Sequence, residues 1–184
     1  RRAPHPPRRR RCAGAPPVTL KDLVLDSRRV ETGDLFVAMP GAGTDGHRFL
    51  GEAFRRGAAA ALVERFDPSA TGCQVRVGDV REALGLLCPL FYGHPDRRMA
   101  LWAVTGTNGK TTTAYLLRKL LSCLYEGDVK RVGLLGTVLY EWGEVALPSR
   151  MTTPDRPAVY GLLAAMERSG CRAAVLEASS HACV

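Results

Sequence analysis

The stretch L-W-A-V-T-G-T-N-G-K-T-T-T, residues 101–113, decides how the chain is read. The apolar run 99–104 predicts a short buried strand. It breaks at Gly106 and Gly109, and Lys110 and three threonines follow. Beyond them Leu116, Leu117, Leu120, Leu121 and Leu124 recur at helical spacing and predict one apolar stripe. Strand, glycine turn, Lys-Thr and helix make a phosphate cradle. The glycines let backbone N–H groups turn inward, and the helix start adds about half a positive charge. Lys110 is placed to reach β/γ-phosphates, and the Thr111 hydroxyl to hold Mg²⁺. The loop is G-x-x-G-K-T, shorter than the general phosphate loop, which would want a glycine where Val104 stands.

C-terminal to this unit, residues 130–138 predict another strand and 140–148 a hairpin-like excursion. Pro157 and Gly170 frame a helix over 158–169. Residues 173–178 read as a strand, with Ser179, Ser180 and His181 leaving its end. In open parallel sheets ligands bind outside the carboxyl ends of the strands. Glu177 ends such a strand and can reach the Mg²⁺ that Thr111 holds. On position alone, an ordinary strand-end glutamate making a cap or surface contact has equal standing.

On the N-terminal side, residues 35–39, 58–64 and 74–77 predict strands. A helix is expected over 47–56, with Phe49, Leu50, Ala53 and Phe54 on one face and Gly57 at its end. Asp79 caps a second helix running to about residue 92. Gly93-His94-Pro95-Asp96 is a linker. The expected class is α/β: a small N-terminal α/β domain over 18–96, then an incomplete phosphate-loop-type mononucleotide-binding parallel sheet over 97–184.

Residues 1–17 are Arg- and Pro-rich and predict a disordered tail. A solvated tail, or a misassigned start, is preferred to an arm for nucleic acid or acidic lipid. Net charge is +8, and six arginines of the tail supply most of it. The body is therefore no basic nucleic-acid-like surface, and a nucleic-acid partner is not expected. The six cysteines show no C-x-x-C and no zinc spacing, which suits a reduced, cytoplasmic setting. No apolar run approaches the roughly 18 residues of a membrane helix.

With these residues laid out, the chain resembles the Mur ligases over about residue 18 to the end. The resemblance rests on Asp26-Ser27-Arg28 with Gly33-Asp34-Leu35-Phe36-Val37-Ala38, on Asp45-Gly46-His47 with Phe49, and on 105–113. Thr152-Thr153-Pro154 with Glu177-Ala178-Ser179-Ser180-His181 is the most discriminating pair. It points to the members that add the third residue of the peptidoglycan stem peptide. The sister ligase adding the terminal dipeptide, or a non-catalytic nucleotide- or UDP-sugar-binding fragment, are the alternatives.

The resemblance implies that Gly106, Thr107, Asn108, Gly109, Lys110, Thr111 and Thr112 wrap ATP, with Lys110 the catalytic residue on the γ-phosphate. Thr111 and Glu177 would hold Mg²⁺. Leu25, Ser27, Ala42, Gly43 and Thr44 would hold the uridine end of the substrate, and Thr152, Thr153 and Ser179 the muramoyl-peptide. His181 is given only a local hydrogen-bonding role. The substrates implied are UDP-MurNAc-dipeptide and a diamino acid, meso-diaminopimelate or L-lysine. The chemistry implied is amide formation through an acyl phosphate, with neither Ser179 nor Cys171 as a covalent catalyst. The family has three domains, so this chain is expected to be a fragment with little or no turnover alone.

Overall fold

The computed structural model describes residues 19–41, 45–149 and 154–179. The expectations for the tail, for Ala42, Gly43, Thr44, Thr152 and Thr153, and for His181 lie outside these residues.

The first sheet is parallel throughout, in the order β1 (Leu23–Val24), β2 (Leu35–Val37), β3 (Ala60–Val63), β4 (Gln74–Arg76). Alternation along β2 explains its two cores. Leu35 and Val37 face α2 (Val80–Phe91), packing with Leu62, Val80, Leu84 and Cys88. Phe36 and Ala38 face α1 (Leu50–Arg55), packing with Leu50, Ala53, Ala61 and Val63. A strand buried on both faces must be apolar at every position, as β2 and β3 are. Asp79 caps α2 by accepting from Glu82 N at 2.8 Å. The helix expected over 47–56 divides into a 3₁₀ turn, Gly46–Phe49, and α1.

The second sheet runs β5 (Ala100–Val104), β9 (Ala173–Glu177), β6 (Val132–Leu135), β7 (Leu139–Trp142), β8 (Val145–Pro148). β5, β9 and β6 are parallel, and the β7–β8 hairpin adds two antiparallel strands. The expected excursion is thus part of a mixed sheet. One face carries α3 (Lys110–Ser122), the other α4 (Arg156–Arg168).

Two expectations are corrected here. β5 is a strand but not a buried one: it is the sheet's edge, and Trp102 is 47% exposed. The leucine stripe of α3 is also split. The helix lies over β9 and β6 more than over β5, so Ala114, Arg118 and Leu121 are buried while Leu116, Leu120 and Leu124 are exposed.

The two sheets meet through α2 and α4. Tyr160 of α4 packs against the Val80–Leu84–Cys88 core of the first sheet. Arg156 donates to Arg81 O at 3.2 Å.

Candidate functional site

The loop between β5 and α3 turns on two glycines with positive φ, Gly106 at 150° and Gly109 at 74°. Gly109 is the N-cap of α3 and offers no side-chain acceptor. The contrast with α2 and α4 is informative, because Asp79 and Asp155 cap those helices with carboxylates. A carboxylate at 109 would compete with a bound phosphate for the first-turn N–H groups. A bare glycine leaves them available to an anion.

Lys110 lies inside the arc of the loop. Its ammonium donates to Gly106 O at 2.8 Å and Thr107 O at 3.3 Å. The Thr111 hydroxyl points at β9 and donates to Glu177 Oε2 at 2.9 Å. β5 and β9 pair in parallel with Val104 opposite Glu177, so the register sets the acid beside the last residue of β5, where the loop begins. Glu177 is 1% exposed. Its burial argues against a surface contact, while the bonds it accepts from Thr111 and Thr137 suit either a capping glutamate or a cation ligand. A hydroxyl and a buried carboxylate are hard oxygen donors of the kind Mg²⁺ takes.

A cavity of about 390 Å³ is lined by 107–112, Thr137 and Ser179. Ser179 therefore joins the phosphate loop. Thr137, in the β6–β7 turn, is a residue that sequence reasoning missed. It donates to Glu177 twice, from N to Oε1 at 3.1 Å and from Oγ1 to Oε2 at 2.7 Å. A threonine in a turn carries no sequence signal for this; only the packing of β6 beside β9 brings it there.

A second cavity, of about 610 Å³, lies between the sheets. Leu25, Asp26, Arg29 and Tyr92 line it from one side, and Tyr140, Leu147, Pro154 and Asp155 from the other. Thr137 and Tyr140 are three residues apart, so both cavities flank the β6–β7 connection. Arg28 donates to Asp26 at 2.9 and 2.8 Å and holds its carboxyl at about 2. Ser27 is buried, and its hydroxyl donates to Glu52 at 2.7 Å. The structure thus brings Leu25 to this groove and gives the Ser27 hydroxyl a partner on α1.

Asp45-Gly46-His47 is a structural turn. Gly46 N donates to Met39 O at 2.9 Å. The His47 ring nitrogen Nδ1 lies 2.7 Å from Asp45, and Nε2 accepts from Glu64 N at 3.1 Å and Arg65 N at 3.2 Å. Accepting at Nε2 fixes the tautomer with the proton on Nδ1. The motif ties the end of the 40–46 loop to the end of β3.

The profile of the Mur ligase family, catalytic domain, matches residues 19–92, and that of the Mur ligase middle domain matches 104–184. The chain is 45% identical over 178 residues to a UDP-N-acetylmuramyl-tripeptide synthetase of Roseiflexus sp. (strain RS-1), covering 92% of this chain and 34% of the relative. It is 42% identical over 163 residues to a UDP-N-acetylmuramoyl-L-alanyl-D-glutamate–2,6-diaminopimelate ligase of Aquifex aeolicus (strain VF5), covering 89% and 33%. The chain spans about a third of the length of the curated relatives it matches. A solved UDP-N-acetylmuramoyl-L-alanyl-D-glutamate–2,6-diaminopimelate ligase superposes with a TM-score of 0.69 at 31% identity, over 88% of this chain and 32% of that one. A MurF from Acinetobacter baumannii superposes with a TM-score of 0.61 at 29% identity, over 88% and 31%.

Proposed function

The chain belongs to the Mur ligase family, and from that premise we propose that it carries the UDP-sugar-binding (18–96) and ATP-binding (97–184) parts of a ligase adding the third amino acid to UDP-MurNAc-L-Ala-D-Glu. The observation that carries this reading is a helix start without a side-chain cap, with Lys110 on the loop carbonyls and Thr111 bonded to the buried Glu177. Fixed donors aimed at developing charge are the main resource of phosphoryl-transfer sites.

In this reading the amides of 106–112 hold the triphosphate. Lys110 leaves the carbonyls of Gly106 and Thr107 for the γ-phosphate, an exchange of neutral acceptors for a charged one. Thr111 and Glu177 are the residues that would hold Mg²⁺, which would supply charge neutralisation to the phosphates. The D-Glu carboxylate would attack the γ-phosphorus as its bond to the bridging oxygen breaks and ADP leaves, giving an acyl phosphate. The incoming amine would then attack the acyl carbon, releasing inorganic phosphate and a proton as the amide forms. No side-chain nucleophile is needed. Cys171 is buried, with its thiol pushed up by that burial, which accords with a structural role. The groove between the sheets, with Leu25 on its wall, takes the nucleotide-sugar end of the substrate. Ser27, Ala42, Gly43 and Thr44 act with it, and Thr152, Thr153 and Ser179 meet the muramoyl-peptide.

The third-residue step is favoured over the terminal-dipeptide step by two likenesses. Curated relatives named for it are 45% and 42% identical, and the solved diaminopimelate ligase superposes with a TM-score of 0.69 at 31% identity against 0.61 at 29% for the MurF structure. The incoming amino acid is taken as a diamino acid, in line with the Aquifex relative's name. The test is calorimetric titration of this chain with UDP-MurNAc-dipeptide and UDP-MurNAc-tripeptide. Tighter binding of the dipeptide is expected, and preference for the tripeptide would move the assignment to the sister ligase.

A further inference from the structure

We propose that Thr137 is a positioning residue: from the β6–β7 turn it locks the plane of the Glu177 carboxylate so that a cation meets a ligand already aimed. This rests on the reading of Thr111 and Glu177 as cation ligands.

The carboxylate is held from two sides with different consequences. On the α3 side the partner is Thr111, itself a ligand in that reading, whose hydroxyl geometry must adjust when a cation arrives. On the other side Thr137 grips both oxygens, with its backbone N on Oε1 and its hydroxyl on Oε2. Two donors from one residue onto two oxygens fix a carboxylate's tilt as well as its place, which a single bond cannot do. The turn is built for this approach. A β-carbon at Gly136 would lie 2.9 Å from Glu177 Oε1 and 3.2 Å from Leu139 O, so only a bare backbone admits the carboxylate at that distance. Gly136 N donates to Leu139 O at 3.0 Å, closing the turn. Thr137 itself is exposed and belongs to no core cluster. Its hydroxyl is therefore tied to the site's chemistry rather than to packing.

Partners that orient a metal-ligating group typically cost about 10–100-fold in metal affinity when removed. The experiment measures ATP binding to this chain, first in EDTA and then as MgCl₂ is titrated, for the wild type and for Thr137→Val, Thr137→Ser and Glu177→Gln. For Thr137→Val the Mg²⁺ midpoint is expected to rise about tenfold or more, a larger factor than any change in ATP affinity in EDTA. Thr137→Ser, which keeps the hydroxyl, is expected to restore the midpoint. An unchanged midpoint in Thr137→Val overturns the proposal. So does an equal loss in EDTA, which marks a merely structural role, or a serine variant no better than valine. If Glu177→Gln also leaves the Mg²⁺ midpoint unchanged, the ligand reading itself fails and the proposal falls with it. If Glu177→Gln shifts the midpoint while Thr137→Val does not, the positioning role alone is refuted.

Discussion

Replacing Gly46 by alanine probes the turn that packs on the exit of β2. A β-carbon there would lie 2.7 Å from Met39 N and 2.9 Å from both Ala38 C and Met39 O. All three are backbone atoms, so no rotamer change relieves the clash and the turn itself must move away from the exit of β2. Three hydrogen bonds are at stake: Gly46 N to Met39 O at 2.9 Å, and the bonds from Glu64 N and Arg65 N to His47 Nε2 at 3.1 and 3.2 Å. At about 1 kcal/mol each, partial relaxation leaves a loss of about 2–3 kcal/mol. With a urea slope of about 2 kcal/mol/M, the unfolding midpoint should fall by about 1 M. Gly51→Ala is the matched control. Gly51 lies in α1 with nothing within 4 Å of a β-carbon, and alanine there should gain about 0.5–1 kcal/mol. Urea unfolding followed by circular dichroism reads both variants. A Gly46→Ala protein within about 0.5 kcal/mol of wild type, or two glycines behaving alike, would refute the close-approach argument. Because the turn ends the loop assigned to the uridine, the same variant should also weaken UDP binding.

The divided face of α3 predicts that Leu120→Gln changes stability by no more than about 0.5 kcal/mol, since Leu120 is 68% exposed. Leu134→Ala, at a fully buried position, should cost about 2–5 kcal/mol in the same assay; equal costs would restore the single-stripe reading. Arg118→Ala should cost about 2–4 kcal/mol in thermal or urea unfolding. It strips Val132 O of a bond at 2.8 Å and Glu141 of one at 3.0 Å, and a loss below about 1 kcal/mol would contradict that burial. Burial pushes the Cys88 thiol up to about 11 and raises that of Cys171, whereas Cys73 and Cys123 are exposed. The folded state thus holds the Cys88 proton to higher pH than the unfolded chain, so this group costs stability only as pH rises past the ordinary thiol range. Alkylation at about pH 8 with peptide mapping should mark Cys73 and Cys123 and spare Cys88 and Cys171 until denaturant is added.

What the sequence revealed of the site was its covalent neighbourhood. Glycines, lysine and threonines within one turn announce a phosphate cradle because the chemistry needs them contiguous. Glu177 was legible as a strand end within reach of Thr111, but its burial was not, since that depends on β9 lying between β5 and β6. Thr137 was invisible for the same reason, its bonds to Glu177 coming from the turn after a neighbouring strand. The α3 leucines showed which positions are apolar but not which are covered, because coverage depends on where the helix sits over the sheet. Arg118 reads as a solvated helix residue until the β6–β7 strands supply its two acceptors. The Asp79 cap and the Pro157 and Gly170 helix bounds were legible because capping is local. Asp45-Gly46-His47 was read as a family signature, and its physical content is a backbone contact that only glycine permits.

The central claim, that the β5–α3 loop grips a triphosphate beside a cation held at Thr111 and Glu177, is tested most directly by a crystal structure of this chain with Mg²⁺ and ADP. The predicted result has the phosphates on the amides of 106–112 and the Lys110 ammonium moved from Gly106 O to a phosphate oxygen. The cation lies about 2.1 Å from Thr111 Oγ1, with Glu177 in its shell directly or through one water. Phosphates bound instead among Lys130, Arg131 and Arg172 around the second sheet's other large hollow, with Lys110 still on the loop carbonyls, would contradict it.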